Sequence, residues 1–331
     1  MIIVLMINLR STLIVIFFLL MTFVVIFIAQ DVKNKSESYS DLLDVDMVDE
    51  AKFKNMNYYS LADGKKSMSM NSDDLKIINQ SDFIFQKTDG EFINNKGEVT
   101  LFSADSGKYQ ANIKELALYD NIELKNDEAE YQSNNMLVNK TQNTMSAVGD
   151  VSAKLIDKLT KDKITISSRS MNSDLDKKVI HFKGDIQGVL TRNRRYEGGF
   201  SFTSELMTLN QLESQINLSK DVKLRRNNYD VEAQKAEIFL ENYNKRLKYY
   251  VLYDDIKFVE KLKLKSGASR VRRAFAEKLE GFMSQGKIIL SGAPRVEQDG
   301  DLIKGYQITL RENVELVEVD DSQSSFQLKR K

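Results

Sequence analysis

The sequence predicts an all-β protein: a single N-terminal transmembrane helix, followed by an extended, twisted antiparallel sheet built of about six two-strand repeats. Two observations carry the sheet prediction. Short runs of alternating apolar and polar residues fill the chain after about residue 55, and one phrase recurs at a regular period. The chain also has 1 Pro in 331 residues, which agrees with long ladders because Pro cannot donate to a sheet.

The first predicted element is a membrane anchor within residues 1–30. The run Leu13–Ala29 is apolar except for one Thr, and at about 1.5 Å of rise per residue it spans roughly 25 Å as a helix. Arg10 precedes the run, so the positive-inside tendency predicts a cytoplasmic N-terminus and an exported remainder. A cleaved signal peptide is the alternative. We favour the anchor because the bulky Phe27 stands where cleavage requires a small residue.

The second predicted element is a juxtamembrane linker over residues 31–55. This stretch is polar and acidic, so it offers little apolar surface to bury. The remaining chain is expected to form the sheet.

The recurring phrase places a pair of Asp, Asn, Gly or Lys residues directly before Ile or Val. Examples are Asp120-Asn121-Ile122 and Gly184-Asp185-Ile186. Successive copies are 29, 35, 36, 34 and 38 residues apart, counted at Ile122, Val151, Ile186, Val222, Ile256 and Pro294. Two strands and two turns account for such a step, so the phrase marks one strand of each repeat. Because Pro294 cannot donate to a ladder, we expect the last copy near a bulge or an edge.

Turn residues divide the predicted strands. Asp89-Gly90 and Asp299-Gly300 are expected in tight hairpin turns, where positive φ at both central residues favours Asn, Asp and Gly. The segments Leu206–Leu218 and Ala268–Phe282 are partly helical in composition. We predict strands for both, because they fall where the repeat requires strands.

Composition excludes several classes of function. Lys plus Arg and Asp plus Glu each total 48, so no net charge attracts nucleic acid. The absence of Cys excludes thiolate catalysis and Cys-ligated zinc, and 1 His excludes a multi-His metal site. Neither a Gly-rich phosphate loop nor metal-ligand spacing occurs. We therefore predict no catalytic residue, no metal and no cofactor, and the alternative of an envelope enzyme rests on His181 alone.

The order of these elements resembles the lipopolysaccharide-export family LptC. The resemblance is carried by the anchor together with Gly97–Tyr109 (GEVTLFSADSGKY) and Leu118–Leu124 (LYDNIEL). In the C-terminal part, Ala274–Leu279 and Lys287–Gly305 resemble the LptA/OstA-like repeat. The likeness covers roughly residues 55 to 328.

This resemblance implies a twisted, slightly open β-jellyroll whose interior holds the acyl chains of lipopolysaccharide. It implies a single-pass inner-membrane protein with most of its chain in the periplasm. Such a protein accepts lipopolysaccharide from the subunits of an ATP-driven ABC transporter and passes it to an LptA-like bridge protein by strand-edge pairing. Residues 56–190 would be the LptC-like half and residues 191–331 the LptA/OstA-like half, as one domain or as two in tandem. The chain is longer than a typical LptC, so the need for a separate bridge protein stays open.

The alternative function is a membrane-anchored β-repeat scaffold or adhesin with a dry core. Strand alternation would place the following residues on the inner, lipid-binding face: Leu101, Tyr109, Leu118, Ile122, Leu124, Phe182, Ile186, Val222, Leu224, Ile256 and Phe258. In the alternative, the same side chains only fill a core.

Two further sets of residues are candidates for binding. A rim of basic residues would hold lipid phosphates by charge-assisted hydrogen bonds, or would only protect turns and edges from aggregation. Its members are Arg192, Arg194, Arg195, Arg225 and Arg226. The last predicted strand should leave a free edge for a partner strand. The edge residues are Val314, Leu316, Val317 and Val319.

Overall fold

The computed structural model describes residues 50–325 except 63, 94–96, 157–160, 194–198, 227, 241–248, 264–268, 283–284, 313 and 321–322. The predicted anchor and residues 31–49 of the predicted linker lie outside the described residues. In the part of the chain that the structure describes, no helix is long and apolar enough to cross a membrane. From Ala51 onward the chain belongs to one compact unit.

The described residues form strands of a single sheet and contain no α-helix. The strands are β1 (Glu50–Ala62), β2 (Lys65–Ile78), β3 (Asp82–Ile93), β4 (Val99–Gln110), β5 (Glu115–Lys125), β6 (Ala129–Asn139), β7 (Thr144–Ile156), β8 (Lys163–Asp174), β9 (Val179–Thr191), β10 (Phe200–Asn210), β11 (Gln215–Arg226), β12 (Tyr229–Phe239), β13 (Tyr249–Lys263), β14 (Ser269–Phe282), β15 (Lys287–Ser291), β16 (Arg295–Gln298), β17 (Asp301–Lys304), β18 (Gln307–Arg311), β19 (Val317–Asp320) and β20 (Gln323–Ser325). For the described residues, the prediction of an all-β fold is confirmed. Of the two segments of partly helical composition, one forms the end of β10, a turn at 211–214 and the start of β11, and the described part of the other is β14.

The sheet is an antiparallel meander from β1 to β14, in which each strand pairs with the next. It then divides, because β14 pairs with β15 along one half of its length and with β16 along the other. One branch continues through β18 to β19, and the other continues through β17 to β20. The first strand begins at Glu50, so the last residues of the predicted linker range lie in β1.

A line of β-bulges crosses the sheet at the recurring phrase. In β5 the register with β6 shifts between Tyr119 and Ile122, and the same shift occurs at the phrase in β7, β9, β11 and β13. The two residues inside each shift have positive φ, for example 83° at Gly184 and 47° at Asp185. Gly, Asn and Asp tolerate this left-handed backbone best, which explains the composition of the phrase. The repeat is therefore a repeat of bulges.

The last copy of the phrase keeps this geometry. Gly292 and Ala293 have φ of 76° and 51°, and the strand is interrupted between β15 and β16, with Pro294 just before β16. The prediction of a bulge or edge at Pro294 is confirmed, because a residue that cannot donate sits where the ladder is already broken.

A bulge bends its strand, and here the bends are aligned, so the sheet folds along the bulge line into two facing walls. We call the strand halves next to the turn at 126–128 the first wall and those next to the turn at 111–114 the second wall. The position of Tyr229 shows that the sheet bends back on itself. Tyr229 pairs with Glu260 in β13, yet its hydroxyl lies 2.5 Å from that of Tyr250, ten residues earlier in the same strand. In a straight strand, Tyr250 and Glu260 would be roughly 33 Å apart.

Small buried residues line the inside of the bend, one in each strand opposite a bulge. They are Ala104, Ser133, Ser168, Ser204, Ala233 and Ala276. The serine hydroxyls are satisfied locally: Ser133 Oγ donates to Asn135 O at 3.2 Å and Ser168 Oγ to Ser170 O at 3.1 Å. Larger side chains have no room where the two walls meet, which accounts for the Ala and Ser residues at this position.

Of the two predicted tight turns, one is correct and one is wrong. Asp299-Gly300 forms the turn between β16 and β17, with φ of 54° and 93°. Asp89-Gly90 instead lies inside β3. The ring of Phe102 on the neighbouring strand lies over Gly90, where a Cβ atom would be 2.6 Å from the ring. This Gly therefore makes room for an aromatic ring and does not make a turn.

The bulge line gives a direct stability prediction at Gly184. Gly184→Ala should lower the free energy of unfolding by about 1–2 kcal/mol, because Ala is strained at positive φ. The added Cβ would also lie 3.0 Å from Arg169 Cδ. Urea unfolding followed by circular dichroism measures the change. Gln187→Ala is the matched control, since Gln187 is exposed in the same strand. Equal stability of the two variants would contradict the proposed role of the bulge.

Candidate lipid groove

The interior between the walls is continuous and apolar. Of the eleven residues predicted to line it, ten are at most 5% exposed. They are Tyr109, Leu118, Ile122, Leu124, Phe182, Ile186, Val222, Leu224, Ile256 and Phe258. Sequence reasoning missed many other inward residues, among them Met68, Phe85 and Phe202, which follow the same alternation in their strands.

The prediction that Leu101 faces inward is wrong. Its side chain is 54% exposed, and its neighbour Phe102 is buried instead. Strict alternation along β4 would put Leu101 and Tyr109 on one face. The register with β5 shifts between Ser103 and Ser106, so inward residues are even-numbered before the bend and odd-numbered after it.

The walls lie against each other, and this interior is closed. At the N-terminal end the Tyr58 ring from β1 packs against the rings of Phe83 and Tyr109, with centroids 4.8 and 6.2 Å away. Lys140 Nζ, from the turn after β6, donates to Ser67 O in β2 at 3.0 Å and lies 5.6 Å from the Phe92 ring centroid. Burial lowers the pKa of Lys140, and the neighbouring Lys114 adds to this. These contacts join strands that are distant in the sheet.

The predicted basic rim does not form one surface. Arg225 is exposed and donates to Asp230 at 2.6 Å, whereas Arg226 points inward and its side chain is 7% exposed. Adjacent strand residues face opposite sides of a sheet, so these two could not share a rim. Arg192 is buried and bonds to Asp162 at 2.5 Å. Arg194 and Arg195 lie outside the described residues and stay predictions.

A buried group of polar side chains, which we call the polar cluster, replaces the apolar interior at the C-terminal end of the groove. Its members are Arg226, Asn228, Tyr229, Tyr250, Glu260, Arg272 and Glu312. Sequence reasoning missed it apart from Arg226. Arg272 and Glu260 are 0% exposed and form an ion pair within the first wall. Asn228 Nδ2 donates to the other oxygen of Glu260 at 2.8 Å.

The polar cluster also bonds across the two walls. Arg226 donates to Glu312 at 2.7 Å, and Arg272 donates at 3.1 Å to the backbone oxygens of Arg311 and Val314. Burial raises the pKa of Glu312, which Arg226 only partly offsets. Burial likewise raises the pKa of Tyr229 to about 12, and Glu312 adds to this. Burial also raises the pKa of Tyr250 well above its ordinary value. The Tyr229 and Tyr250 hydroxyls therefore stay protonated and act as neutral hydrogen-bonding groups.

The predicted partner edge is shorter than the sequence indicated. Val314 and Leu316 precede β19 and are 46% and 56% exposed, while Val317 and Val319 lie in β19 and pack against the core. The carbonyl of Val314 is held by Arg272, which keeps this residue out of the ladder. Among the described strands, β18 alone pairs with β19, so the other edge of β19 is open.

The residue on which the enzyme alternative rests lies on the outer surface. His181 Nδ1 is 3.0 Å from the Thr208 hydroxyl on the neighbouring strand, and its side chain is exposed. In the part of the chain that the structure describes, no group of three or more His, Cys, Asp or Glu residues could hold a metal ion.

The buried ion pair gives a second stability prediction. Arg272→Met should lower the free energy of unfolding by about 3–5 kcal/mol, because it leaves the Glu260 carboxylate buried without its cation. The double variant Arg272→Met with Glu260→Leu should be less destabilised than the single variant, since no buried charge remains.

Urea unfolding of the two variants and of Arg270→Met measures these differences. Arg270 is a fitting control because its ion pairs are about 40% or more exposed and contribute about 0–1 kcal/mol. If Arg272→Met is no less stable than Arg270→Met, the ion pair is not important for the fold.

Comparison with known proteins agrees with the resemblance seen in the sequence. Residues 13–191 match the family model "Lipopolysaccharide-assembly, LptC-related", and residues 202–315 match "LptA/(LptD N-terminal domain) LPS transport protein". No curated protein matches the chain. Among solved structures, it is similar to LptH from Pseudomonas aeruginosa, described as the LptA homologous periplasmic component of the lipopolysaccharide transport device. The identity is 11% and the TM-score 0.35, over 39% of this chain and 95% of that one.

Because the first match spans more than half of the sequence, the chain belongs to the LptC-related family of lipopolysaccharide-assembly proteins, and its C-terminal region is of the LptA/LptD N-terminal type.

Proposed function

We propose that this chain carries lipopolysaccharide through the periplasm, between an ATP-driven transporter of the inner membrane and the outer membrane. The N-terminal helix anchors it as a single-pass inner-membrane protein. The lipid moves along the interior between the two walls, and the transporter supplies the energy. The chain itself catalyses no reaction and needs no cofactor.

The observation that carries the proposal is the continuity of the apolar interior across the two matched regions. β9, at the end of the LptC-related match, pairs with β10 at the start of the LptA-like match. Inward residues on both sides of this junction are buried, including Ile186 in β9 and Phe202 in β10. The same interior therefore extends from one half to the other, as a path for a lipid requires.

The energetics fit an acyl-chain ligand. A methylene group contributes about 0.8 kcal/mol when it leaves water for an apolar site. Several acyl chains of which only a part is enclosed would therefore bind firmly, and the protein needs no specific pocket for each. To admit them the walls must separate, because the inward side chains now cover one another.

The dry-core scaffold is the second candidate, and the closed interior favours it. Phe258, Leu252 and Leu279 are 0% exposed, as expected for a core that only holds the fold together. The two functions differ in one measurable respect: the interior of a scaffold never meets lipid.

Photocrosslinking decides between the two functions. A photoreactive residue placed at Ile186 or Ile256, both inward and 1% exposed, should capture lipopolysaccharide in cells. The matched controls are Val189 and Val259, which face outward on the same two strands with exposures of 48% and 37%. Capture at the inward positions alone supports transport. Failure at both inward positions in a folded, expressed protein would leave the scaffold as the function.

We also propose that the open edge of β19 receives the strand of an LptA-like bridge protein. An exposed antiparallel edge offers backbone donors and acceptors that a partner strand satisfies, as in other cases of strand addition. Asp320 at its end carries a charge that would limit unspecific pairing.

The edge is tested with a photoreactive residue at Glu318 in β19. It should capture a periplasmic partner protein of the bridge type in cells. The same residue at Glu297 is the control, because Glu297 is exposed but lies in β16, which has a strand on each side. Equal capture from both positions, or capture from Glu297 alone, would exclude the edge as the docking site.

A further inference from the structure

The polar cluster joins the two walls at the C-terminal end of the sheet, along the margin that lies opposite the bulge line. Arg226 and Arg272 belong to the first wall, and their cross-wall partners are the Glu312 carboxylate and the backbone oxygens of Arg311 and Val314. Tyr229 and Tyr250 make a further hydrogen bond between the walls. At the same margin of earlier strands the inward side chains are Phe92, Phe102 and Leu155. Near Phe92 the walls are also joined by the bond from Lys140 to Ser67 O, but the polar bonds between the walls are most numerous at the C-terminal end of this margin.

We propose that the polar cluster is a latch, which holds the walls together at the C-terminal end and releases when lipid passes between them. The inference rests on the proposed function, since a scaffold with a dry core has no need to open. It assigns a role to buried charged residues that the lipid path itself does not use.

The bonding pattern of the cluster suits release. The fully buried ion pair between Arg272 and Glu260 lies within the first wall, so it remains when the walls separate. The bonds that break are those between the walls, and water or a lipid headgroup can replace each of them. A purely apolar margin would instead expose new hydrocarbon surface to water on opening.

The closed state also leaves polar atoms unsatisfied. Among the residues that the structure describes, Arg226 Nε and Asn228 Oδ1 are buried and find no hydrogen-bond partner. A buried polar atom without a partner is a cost that disappears when water reaches it. Burial also raises the pKa of Glu312, which means that the closed site disfavours the charged carboxylate. The latch thus combines hydrogen bonds that hold the walls together with buried, unsatisfied polar atoms that favour release.

The test measures the separation of the walls directly. The chain has no Cys, so Lys261→Cys in β13 of the first wall and Lys287→Cys in β15 of the second wall are the only sites that a spin label modifies. The distance between the labels is measured by double electron–electron resonance on the full-length protein. Glu312→Gln and Tyr250→Phe each remove a cross-wall interaction with little change in shape. Each should raise the ratio of open to closed molecules by about ten-fold, the factor for 1.4 kcal/mol.

The control variants are Glu297→Gln and Tyr253→Phe, which make the same chemical changes outside the cluster. Tyr253 lies in the same strand as Tyr250, and its hydroxyl bonds to Glu237 at 3.5 Å. A longer-distance population in the cluster variants, absent from the controls, supports the latch. If folded cluster variants give the same distances as the wild type, the latch is excluded. Two independent cluster variants are used so that a folding defect in one does not decide the result.

A second measurement separates failure of the latch from failure of the proposed function. Photocrosslinking to lipopolysaccharide is compared at two positions. Ile186 lies in β9, away from the cluster, and Ile256 lies in β13, the strand that also holds Tyr250 and Glu260. The cluster variants should increase capture at Ile256 relative to Ile186, and the controls should not. Absence of capture at both positions in every variant overturns lipid transport, whereas an unchanged ratio with normal capture overturns the latch alone.

Discussion

The structure depends on one backbone constraint: two consecutive residues with positive φ in every second strand of the meander from β5 to β13, and again between β15 and β16. Each pair adds one residue to its strand relative to the neighbour and bends the ladder. Because the pairs are aligned, the bends add up to one fold line, and the sheet closes on itself. The closed interior, the small residues at the bend and the cross-wall contacts all follow from this line.

The sequence reveals the strands better than it reveals the bulges or the faces. The period and the strands are local properties and could be predicted, whereas a bulge or an edge is expected only at the last copy of the phrase. The face of a residue such as Leu101 depends on whether a bulge intervenes, and the bulge in β5 shifts the inward set of its neighbour β4 as well. Alternation counted along one strand cannot detect an extra residue in another strand.

The polar cluster could not be predicted for a different reason. Arg226 and Glu312 are 86 residues apart, and no spacing or motif joins them. Each looks like an ordinary charged residue at the end of a strand, where exposure is the usual state. Only the folding of one wall onto the other makes them buried partners. The same holds for Lys140 and Ser67, 73 residues apart, so the contacts that close the groove are the least visible in the sequence.

The junction of the two matched regions adds a consequence for how such a chain works. Where two separate proteins meet edge to edge, the joining strands must find each other from solution. Here β9 and β10 are joined by a short connection, which makes their pairing intramolecular and raises its effective concentration. Because β9 and β10 belong to one chain and pair with each other, control of passage under the proposed function would act across the walls and not between the halves. The buried charges at the C-terminal margin are placed where such control would act.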